Sequence, residues 1–456
     1  MKPYLVLVFA LLLSLSAFAQ LPQRCGTVEY NNRLFSQYPS LKQAYDQWEQ
    51  QVNATIALQK ALKAQMRVAS VTDTSSDTTT LIIIPTVVHV IHNVRSGAIT
   101  GSNISDAQIL SQIKVSNADF RKLNADTVNI PPMFKGIAAD MRIEFCMATR
   151  DPNGYPTNGI TRTYNAASSW DESKDATLKS IIHWPSSQYL NIWIVPTLTA
   201  GGTILLGYSQ YPSGSLIGLT KNPPDTTAAT DGIVIYYQSF GDTGTLLYPY
   251  NKGRTLTHEA GHWLGGLRHP WGDCNCCTDY VDDTPLQKTA DTDYTLCNAD
   301  STSNCSGQID TMIIGNYMQY TGDNCMNEFT EGQKQRIRAG FWGCPLRVSL
   351  LSSKGCMPPD SIPTSTIPIT SAGKFAIYPN PASDAFTVNY QLSNASSVQL
   401  SVYNTEGVLI KSLINTTQPA GSYTTTYSTE GIIAGLYIFR FVSDDLSEVK
   451  KIVIIK

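Results

Sequence analysis

Residues 258–269 read His-Glu-Ala-Gly-His-Trp-Leu-Gly-Gly-Leu-Arg-His, and the interpretation of the chain starts from this stretch. His258 and His262 are four residues apart, so a helix would place both side chains on one face, one turn apart. Two imidazole nitrogens with this spacing can bind one metal ion at about 2.0–2.1 Å. Glu259 directly follows the first histidine, where a carboxylate can act as general base on water. The stretch predicts a zinc helix.

The glycines after this helix predict a turn that brings a third histidine, His269, to the same ion. Three protein ligands leave a fourth position open, which a catalytic zinc needs and a structural zinc lacks. The usual spacing puts the third histidine one residue earlier. Gly265 fits the spacing from the helix and Gly266 fits the spacing to His269, so we interpret the extra residue as an insertion in a Gly-Gly turn. Three of the six histidines fall in these twelve residues, which argues against two unrelated helix histidines.

Further motifs follow in order along the chain: Trp271-Gly272-Asp273, Asp282-Asp283-Thr284-Pro285, Asn316-Tyr317-Met318-Gln319-Tyr320 and Cys325-Met326-Asn327. With them, roughly residues 80–350 resemble the pappalysin family of metzincin zinc metallopeptidases. The resemblance implies an α+β catalytic domain with a mixed twisted sheet, a zinc helix and a Met-turn. It also implies that Met318 forms an apolar floor beneath the metal and that Tyr320 is catalytic, stabilising the oxyanion.

The resemblance extends to substrate choice through Asp323, five residues beyond the Met-turn methionine. Relatives with an aspartate there place it in the pocket for the residue after the scissile bond. A guanidinium pairs bidentately with a carboxylate in a confined site, so Arg, and sometimes Lys, is expected after that bond. The competing interpretation is a solvated turn, since residues 321–324 read Thr-Gly-Asp-Asn.

An acidic stretch that begins at Asp273 resembles a calcium-binding loop of the same relatives. Calcium takes six to eight oxygen ligands, and clustered carboxylates in a loop supply them. No EF-hand spacing is present, and an exposed acidic loop without a metal is the alternative. The resemblance implies that the calcium ligands include Asp279, Asp282, Asp283 and Thr284.

Ten cysteines, seven of them between residues 274 and 344, fit an oxidising compartment. The resemblance implies that Cys297 pairs with Cys325, and that Cys305 pairs with Cys276 or Cys277. The run Cys-Asn-Cys-Cys at 274–277 could also be a second metal site. In a secreted chain we favour disulfides.

The first 19 residues have the pattern of a secretory signal peptide. Lys2 supplies the positive end, residues 5–13 the apolar stretch, and Ala-Phe-Ala at 17–19 the cleavage site. No later run of eighteen apolar residues occurs, so we expect no transmembrane helix. A net charge of −3 gives no electrostatic case for nucleic acid or anionic membranes. We expect a secreted protein, extracellular or attached to the cell surface.

Residues 20–80 are predicted to be a propeptide. They contain a predicted helix at 41–66 and a Ser/Thr/Asp-rich, cleavable connection at 71–80. Cys25 lies just after the signal peptide, and its thiolate could occupy the open zinc position and keep the enzyme latent. Relatives made as zymogens use a cysteine in this way. The alternative is a structural disulfide.

The predicted catalytic domain covers residues 81–352. Its apolar and alternating stretches predict strands at 81–92, 141–148, 190–195 and 231–237. Helices are expected at 104–121, 255–265 and 327–341, the last with Thr330 and Glu331 as capping residues. The mixture of strands and helices is typical of an α+β domain.

The C-terminal part changes character. Residues 353–374 are rich in Pro, Ser and Thr and predict an extended linker. Residues 375–456 predict a small all-β sandwich with strands at 386–391, 398–403, 408–413, 423–427, 436–442 and 449–455. Tyr378-Pro379-Asn380-Pro381, Gly435-Leu436-Tyr437 and residues 451–456 resemble the C-terminal sorting domain of the type IX secretion system. A generic carbohydrate- or protein-binding β module is the alternative.

Together these features predict a secreted zinc endopeptidase, made as a latent zymogen, that acts on proteins or peptides and reaches the secretion machinery through its C-terminal domain. The alternative from another class is a surface adhesin or binding module on a degenerate peptidase scaffold. The extra glycine in the zinc motif is its best support. A self-processing peptidase with one narrow target would share the chemistry and differ in substrate.

Overall fold

A computed structural model describes residues 22–65, 80–212, 229–291, 297–298, 301–305, 307–358, 375–404, 409–444 and 447–455. The predicted signal peptide and nearly all of the predicted cleavable connection lie outside these residues. The chain forms two compact units, residues 1–361 and 362–456.

In the first unit, the strands and helices follow in chain order: β1 (Gln23–Cys25), α1 (Thr27–Gln37), α2 (Pro39–Gln65), β2 (Ile82–His92), α3 (Asp106–Phe120), β3 (Ile143–Met147), β4 (Ile160–Tyr164), β5 (Trp170–Asp171), α4 (Asp175–Lys179), β6 (Leu190–Val195), β7 (Leu198–Ala200), β8 (Thr203–Ser209), β9 (Ile233–Tyr236), α5 (Arg254–Gly265), β10 (Thr302–Cys305), β11 (Gln308–Thr311), α6 (Glu331–Trp342) and α7 (Pro345–Ser349).

The main sheet of this unit is mixed, as expected. Its strands run in the order β3-β2-β6-β9-β8-β7-β5. In addition, β4 pairs with β2 and β1 pairs with β8. The central pairs β2–β6 and β6–β9 are parallel, and β8 is antiparallel to both β9 and β7. Strand β2 is buried along nearly its whole length, which fits a strand covered on both faces. The strands predicted at 81–92, 141–148, 190–195 and 231–237 are all present, with shorter bounds at three of them.

Helices α3, α5 and α6 pack with the sheet into one apolar core, to which α5 contributes Leu256, Ala260, Trp263 and Leu264. A Cβ atom at Gly265 would lie 2.3 Å from the Cα of Ile337 on α6, so the two helices approach as closely as backbones allow. The guanidinium of Arg347 makes two 2.8 Å contacts with the Asp231 carboxylate and lies 3.7 Å above the ring of Trp263. These contacts fix the end of α5 against the sheet.

The predicted propeptide packs onto the first unit. Strand β1 adds to β8 in parallel, and α2 packs on α6 through an apolar cluster that includes Trp48, Val52 and Ala339. The predicted linker begins later than residue 353. Cys356 forms a disulfide with Cys146 on β3, and Thr149 donates a hydrogen bond to the carbonyl oxygen of Met357, so this segment belongs to the first unit.

In the second unit, the described residues form strands that pair with their neighbours in antiparallel fashion: β12 (Phe375–Tyr378), β13 (Ala385–Leu392), β14 (Ser396–Tyr403), β15 (Leu409–Gln418), β16 (Gly421–Ser428), β17 (Gly435–Val442) and β18 (Ser447–Ile454). They form two sheets, β12-β13-β16 and β15-β14-β17-β18. Alternate side chains of both sheets, such as Val388 and Leu400, meet in one buried cluster. The six predicted strands are present, and the sequence analysis missed β12.

Candidate metal centre and substrate cleft

Helix α5 carries two of the predicted ligands, His258 and His262, and the way the helix ends positions the third, His269. Gly266 adopts a left-handed conformation with φ of 60° and its N–H bonds to the carbonyl oxygen of His262 at 2.9 Å, which closes the helix. The Nε2 atoms of His258 and His262 lie 3.2 Å apart. The turn then brings Nε2 of His269 to 3.3 Å from that of His258. The extra glycine is therefore absorbed at the end of the helix.

The three imidazoles fit a zinc ion. Ligand nitrogens about 2.0–2.1 Å from a tetrahedral ion lie about 3.3–3.4 Å from each other, close to the separations of 3.2 and 3.3 Å. Burial lowers the pKa of His258 well below its usual range and that of His262 to about 3, so both rings are neutral. A neutral ring with its proton on Nδ1 presents a lone pair on Nε2 to a cation.

Each ring is held by its other nitrogen. Nδ1 of His258 lies 2.7 Å from the carbonyl oxygen of Tyr317, and Nδ1 of His262 lies 2.6 Å from that of Leu267. Nδ1 of His269 pairs with the carboxylate of Asp273. These contacts keep the proton on Nδ1 and orient Nε2 toward the common centre. The sequence analysis placed Asp273 in the calcium stretch. The spacing of four positions between His269 and Asp273 is the sequence signal that would have predicted this pairing.

Glu259 lies in the same cleft and is fully buried. Its Oε2 accepts a hydrogen bond from the Thr27 hydroxyl at 2.6 Å, and its Oε1 has no hydrogen-bond partner among the described residues. Burial raises the pKa of Glu259 to about 7. The carboxylate thus has one oxygen bonded to the predicted propeptide, and its other oxygen is buried without a hydrogen-bond partner in the described part of the chain.

The two predicted Met-turn residues, Met318 and Tyr320, lie next to α5 and the histidines. Met318 is fully buried, and a Cβ atom at Gly261 would lie 2.6 Å from its sulfur, so the methionine packs directly against α5. The ring of Tyr320 is 4.9 Å from that of His269, and its hydroxyl lies 3.4 Å from the carbonyl oxygen of Cys25. Tyr320 therefore borders the metal centre.

Cys25 completes a buried group of four ligand side chains. Its sulfur lies 3.5 Å from Nε2 of His262, and the ligand atoms of Cys25 and the three histidines are all within 4.8 Å of one another. Cys25 forms no disulfide within the described part of the chain. Burial and the carboxylate of Glu259 raise the pKa of its thiol well above the usual range. The structural disulfide considered for Cys25 is therefore wrong.

Asp323 is fully buried, so the interpretation as a solvated turn residue is wrong. Its Oδ1 pairs with the guanidinium of Arg24 at 2.9 Å, and its Oδ2 accepts from the backbone N–H of Lys252 at 2.8 Å. The guanidinium also donates to the carbonyl oxygen of Thr321 at 2.9 Å and lies 5.4 Å from the ring centre of Tyr250. An arginine of the predicted propeptide thus occupies the pocket that Asp323 forms.

Four disulfides are formed in the first unit: Cys146–Cys356, Cys274–Cys277, Cys276–Cys305 and Cys297–Cys325. Of the two partners left open for Cys305, the structure has Cys276. Cys277 pairs instead with Cys274, so the predicted role of Cys277 as partner of Cys305 is wrong. These pairings use all three cysteines of the run 274–277, and none of them is free to bind a second metal.

The predicted calcium ligands are not gathered around one point. Asp279 accepts from the Thr284 hydroxyl at 2.7 Å, and burial raises its pKa to about 7. Asp283 accepts from the backbone N–H of Gly332 at 2.8 Å at the start of α6, and Asp282 pairs with Lys60 of α2. Within the described ranges, the group of Cys25 and three histidines is the sole cluster of three or more His, Cys, Asp or Glu that could hold a metal. Calcium stays a prediction.

Comparison with known proteins shows the family of the chain. A family model described as pregnancy-associated plasma protein-A matches residues 172–341. The extracellular metalloprotease of Arthroderma benhamiae is 32% identical over 58% of this chain and 79% of its own length. The chain belongs to the pappalysin family of metallopeptidases. It is an extracellular metallopeptidase, and family membership implies a zinc cofactor.

Two solved structures are similar to the chain. Mature mirolysin of Tannerella forsythia, in complex with a cleaved peptide, is 39% identical with a TM-score of 0.53, and the match covers 62% of this chain and all of that one. A promirolysin mutant of the same organism is 36% identical with a TM-score of 0.57, and the match covers 72% of this chain and 97% of that one. The match to promirolysin covers more of this chain than the match to the mature enzyme.

The second unit has its own match. Residues 376–455 match the secretion system C-terminal sorting domain, which implies a secretion machinery as partner. In the described parts of the chain, none of the helices combines the length and apolar character needed to cross a bilayer.

Proposed function

We propose that this metallopeptidase is a zinc-dependent endopeptidase with Glu259 as its general base. The observation that carries the proposal is the convergence of three histidine Nε2 atoms next to a buried carboxylate, one oxygen of which has no hydrogen-bond partner among the described residues. His258, His262 and His269 would hold the metal. When bound, zinc supplies Lewis-acid chemistry, polarising the scissile carbonyl and lowering the pKa of a water molecule toward about 7.

The residues around the metal would then move the proton and stabilise charge. Glu259 accepts a proton from the attacking water through its free oxygen and passes it to the leaving amine. The hydroxyl of Tyr320, released from the carbonyl oxygen of Cys25, donates to the oxyanion of the tetrahedral intermediate. Burial raises the pKa of Tyr320 well above its usual range, so this hydroxyl keeps its proton.

The purified, processed protein tests this proposal directly. Zinc content and the N-terminus of the active form are measured on one sample, together with casein cleavage before and after a chelator. One zinc ion per chain and chelator-sensitive cleavage are expected. A folded protein that binds zinc and cleaves neither casein nor gelatin would favour the adhesin or binding module.

We also propose that the enzyme prefers Arg, and then Lys, after the scissile bond. Arg24 supports this proposal, because its guanidinium meets the Asp323 carboxylate, the Thr321 carbonyl and the face of Tyr250. A buried carboxylate without a cation is costly, so the empty pocket would favour a substrate cation over a neutral side chain. Lysine can supply the positive charge, but it lacks the planar set of N–H donors of a guanidinium.

The change Asp323→Asn in the processed enzyme is expected to reduce the preference for Arg over Ala by about 100-fold, as expected for the loss of a charge-assisted pair. Asparagine keeps an oxygen that can accept from the backbone N–H of Lys252. Matched peptides with Arg or Ala after the scissile bond measure kcat/KM for both enzymes. The Ala peptide is the control and should change little. An equal loss on both peptides would contradict the specificity role.

We propose that residues 20–80 are a propeptide that keeps the enzyme latent. Three contacts support this: Cys25 at the histidines, Thr27 at Glu259 and Arg24 at Asp323. Together they cover the predicted metal, the predicted base and the predicted specificity pocket. The similarity to promirolysin also supports the proposal.

The type IX system is the proposed reader of the C-terminal sorting domain. Deletion of residues 375–456 is expected to leave the protein in the periplasm, because the deletion removes the sorting signal and leaves the catalytic unit unchanged. Immunodetection in periplasm and medium measures this, with full-length protein as the control. Normal export of the shortened chain would contradict the assignment.

A further inference from the structure

A second side chain of the predicted propeptide fills a polar pocket of the peptidase. The hydroxyl of Tyr30 donates to Oδ2 of Asp175 at 2.9 Å, and the hydroxyl of Tyr208 donates to Oδ1 at 2.7 Å. The two rings lie 4.7 Å apart. Burial, followed by the charge of Asp175, raises the pKa of both phenols well above the usual range, so both keep their protons. Asp175 thus accepts two phenol hydrogen bonds.

A buried ion pair forms the floor of this pocket. The ammonium of Lys179 lies 2.8 Å from Oδ1 of Asp175 and donates to the carbonyl oxygen of Thr230 at 2.7 Å. It lies 5.0 Å from the ring centre of Trp193 and 5.3 Å from that of Tyr30. Both charged side chains are almost fully buried. An aromatic ring above a desolvated ammonium gains a cation–π attraction, and a second cation there would be repelled.

The pocket adjoins the cleft through strand β8. Tyr208 lies between Gly207, which packs against Glu259 and pairs with Cys25, and Ser209, which contacts Thr27. Successive side chains of a strand point to opposite faces. A chain added to the edge of β8 would therefore direct alternate side chains toward the Glu259 side and toward the Tyr208 side. Apart from Tyr30, the residues that form the pocket lie in the predicted catalytic domain.

We propose that, once the propeptide has left, this pocket binds a tyrosine side chain of the substrate within a few residues of the scissile bond. The inference rests on the proposed endopeptidase function and adds a second specificity determinant to Asp323. Tyrosine takes the place of Tyr30 and donates to Oδ2 of Asp175. Phenylalanine fills the space and leaves that oxygen without a partner, which a buried carboxylate tolerates poorly. Lysine and arginine are disfavoured by Lys179.

Peptides on the unaltered, processed enzyme test the proposal. Each carries Arg after the scissile bond and Ala elsewhere, and Tyr is moved through the three positions before the bond and the three positions after that Arg. At the best position Tyr is exchanged for Phe and for O-methyltyrosine, which cannot donate and is longer. We expect one position where kcat/KM for Tyr exceeds that for Phe by about tenfold. O-methyltyrosine should be poorer than Phe.

The outcomes separate the two proposals. If none of the peptides is cut, the endopeptidase function fails. If the Arg peptides are cut but Tyr and Ala give equal kcat/KM at all six positions, the tyrosine pocket is refuted. Equal kcat/KM for Phe and Tyr at the best position also refutes it.

The change Asp175→Asn assigns the preference to this pocket. The variant should lower the ratio of Tyr to Phe to within about threefold, because the charge-assisted hydrogen bond is lost. The thermal unfolding midpoint of the variant, compared with that of the unaltered enzyme, serves as the control for folding. An unchanged Tyr-to-Phe ratio in a folded variant would place the preference elsewhere and refute the proposal. If Asp175→Asn does not fold, the peptide series on the unaltered enzyme decides.

Discussion

The change Glu259→Gln is expected to lower kcat/KM for an Arg-containing peptide by about 10³-fold, while the zinc content of the processed enzyme stays the same. Glutamine has the shape of glutamate but cannot accept the proton of the attacking water. The three histidines that would hold the metal are oriented by Tyr317, Leu267 and Asp273, and Glu259 has no part in that orientation. Loss of turnover and retention of metal are therefore separable.

Three measurements on the same preparation test this prediction: steady-state kinetics, zinc content and thermal unfolding. The matched control is Glu144→Gln on β3, where a half-exposed glutamate pairs with Arg121 away from the histidines. The control should retain full activity. A Glu259→Gln enzyme with more than about one tenth of the normal kcat/KM would transfer the role of base to another group.

The sequence was sufficient to predict that His258 and His262 lie on one face of a helix, because residue spacing alone determines this arrangement. The spacing of four positions from His258 to His262 fixes one helical face, and the helix begins within one residue of the predicted start. The central strand at 190–195 was predicted with its observed bounds, since a buried apolar run between polar residues has few other interpretations.

The contacts that bind the predicted propeptide to the predicted catalytic domain could not be predicted from residue spacing in the sequence. Arg24 and Asp323 are 299 positions apart, and strand β1 has three residues, too few for any periodicity. Strand β8 was missed because its sequence, Thr-Ile-Leu-Leu-Gly-Tyr-Ser, shows no clean alternation, although it lies beside Glu259. Cys276 and Cys277 are neighbours with equal claims on Cys305, and only the folded backbone distinguishes them.

The inserted glycine of the zinc motif has a physical explanation in α2. A Cβ atom at Gly266 would lie 2.6 Å from the ring of Trp48, and one at Gly340 would lie 2.8 Å from it. The indole N–H of Trp48 donates to the carbonyl oxygen of Gly340 at 3.1 Å. These glycines together form a slot for the tryptophan. The inserted glycine is therefore accounted for by the packing of α2, a part of the predicted propeptide, against the end of α5.

The residue after Trp48 adds a buried ion pair to the same anchor. Both carboxylate oxygens of Glu49 lie 2.8 Å from one terminal nitrogen of Arg336, which is fully buried on α6. Arg336 also donates to the carbonyl oxygen of Gly266 at 3.1 Å. Trp48 and Glu49 thus hold the predicted propeptide at the end of α5, and Cys25 lies within it at the histidines. Latency is expected to depend on both anchors.

The change Trp48→Ala is expected to raise the activity of the uncleaved zymogen by about 10²–10³-fold, since truncating a buried tryptophan costs about 3–5 kcal/mol of docking free energy. Cys25→Ala should raise the activity in the same assay, and the double variant should exceed either one. Leu58→Ala is the matched control, because Leu58 is on the same helix and 61% exposed. Initial rates on a short Arg peptide are measured while N-terminal sequencing verifies that the chain is intact. Variants of Trp48 and Cys25 that are folded and as inactive as Leu58→Ala would show that neither anchor maintains latency.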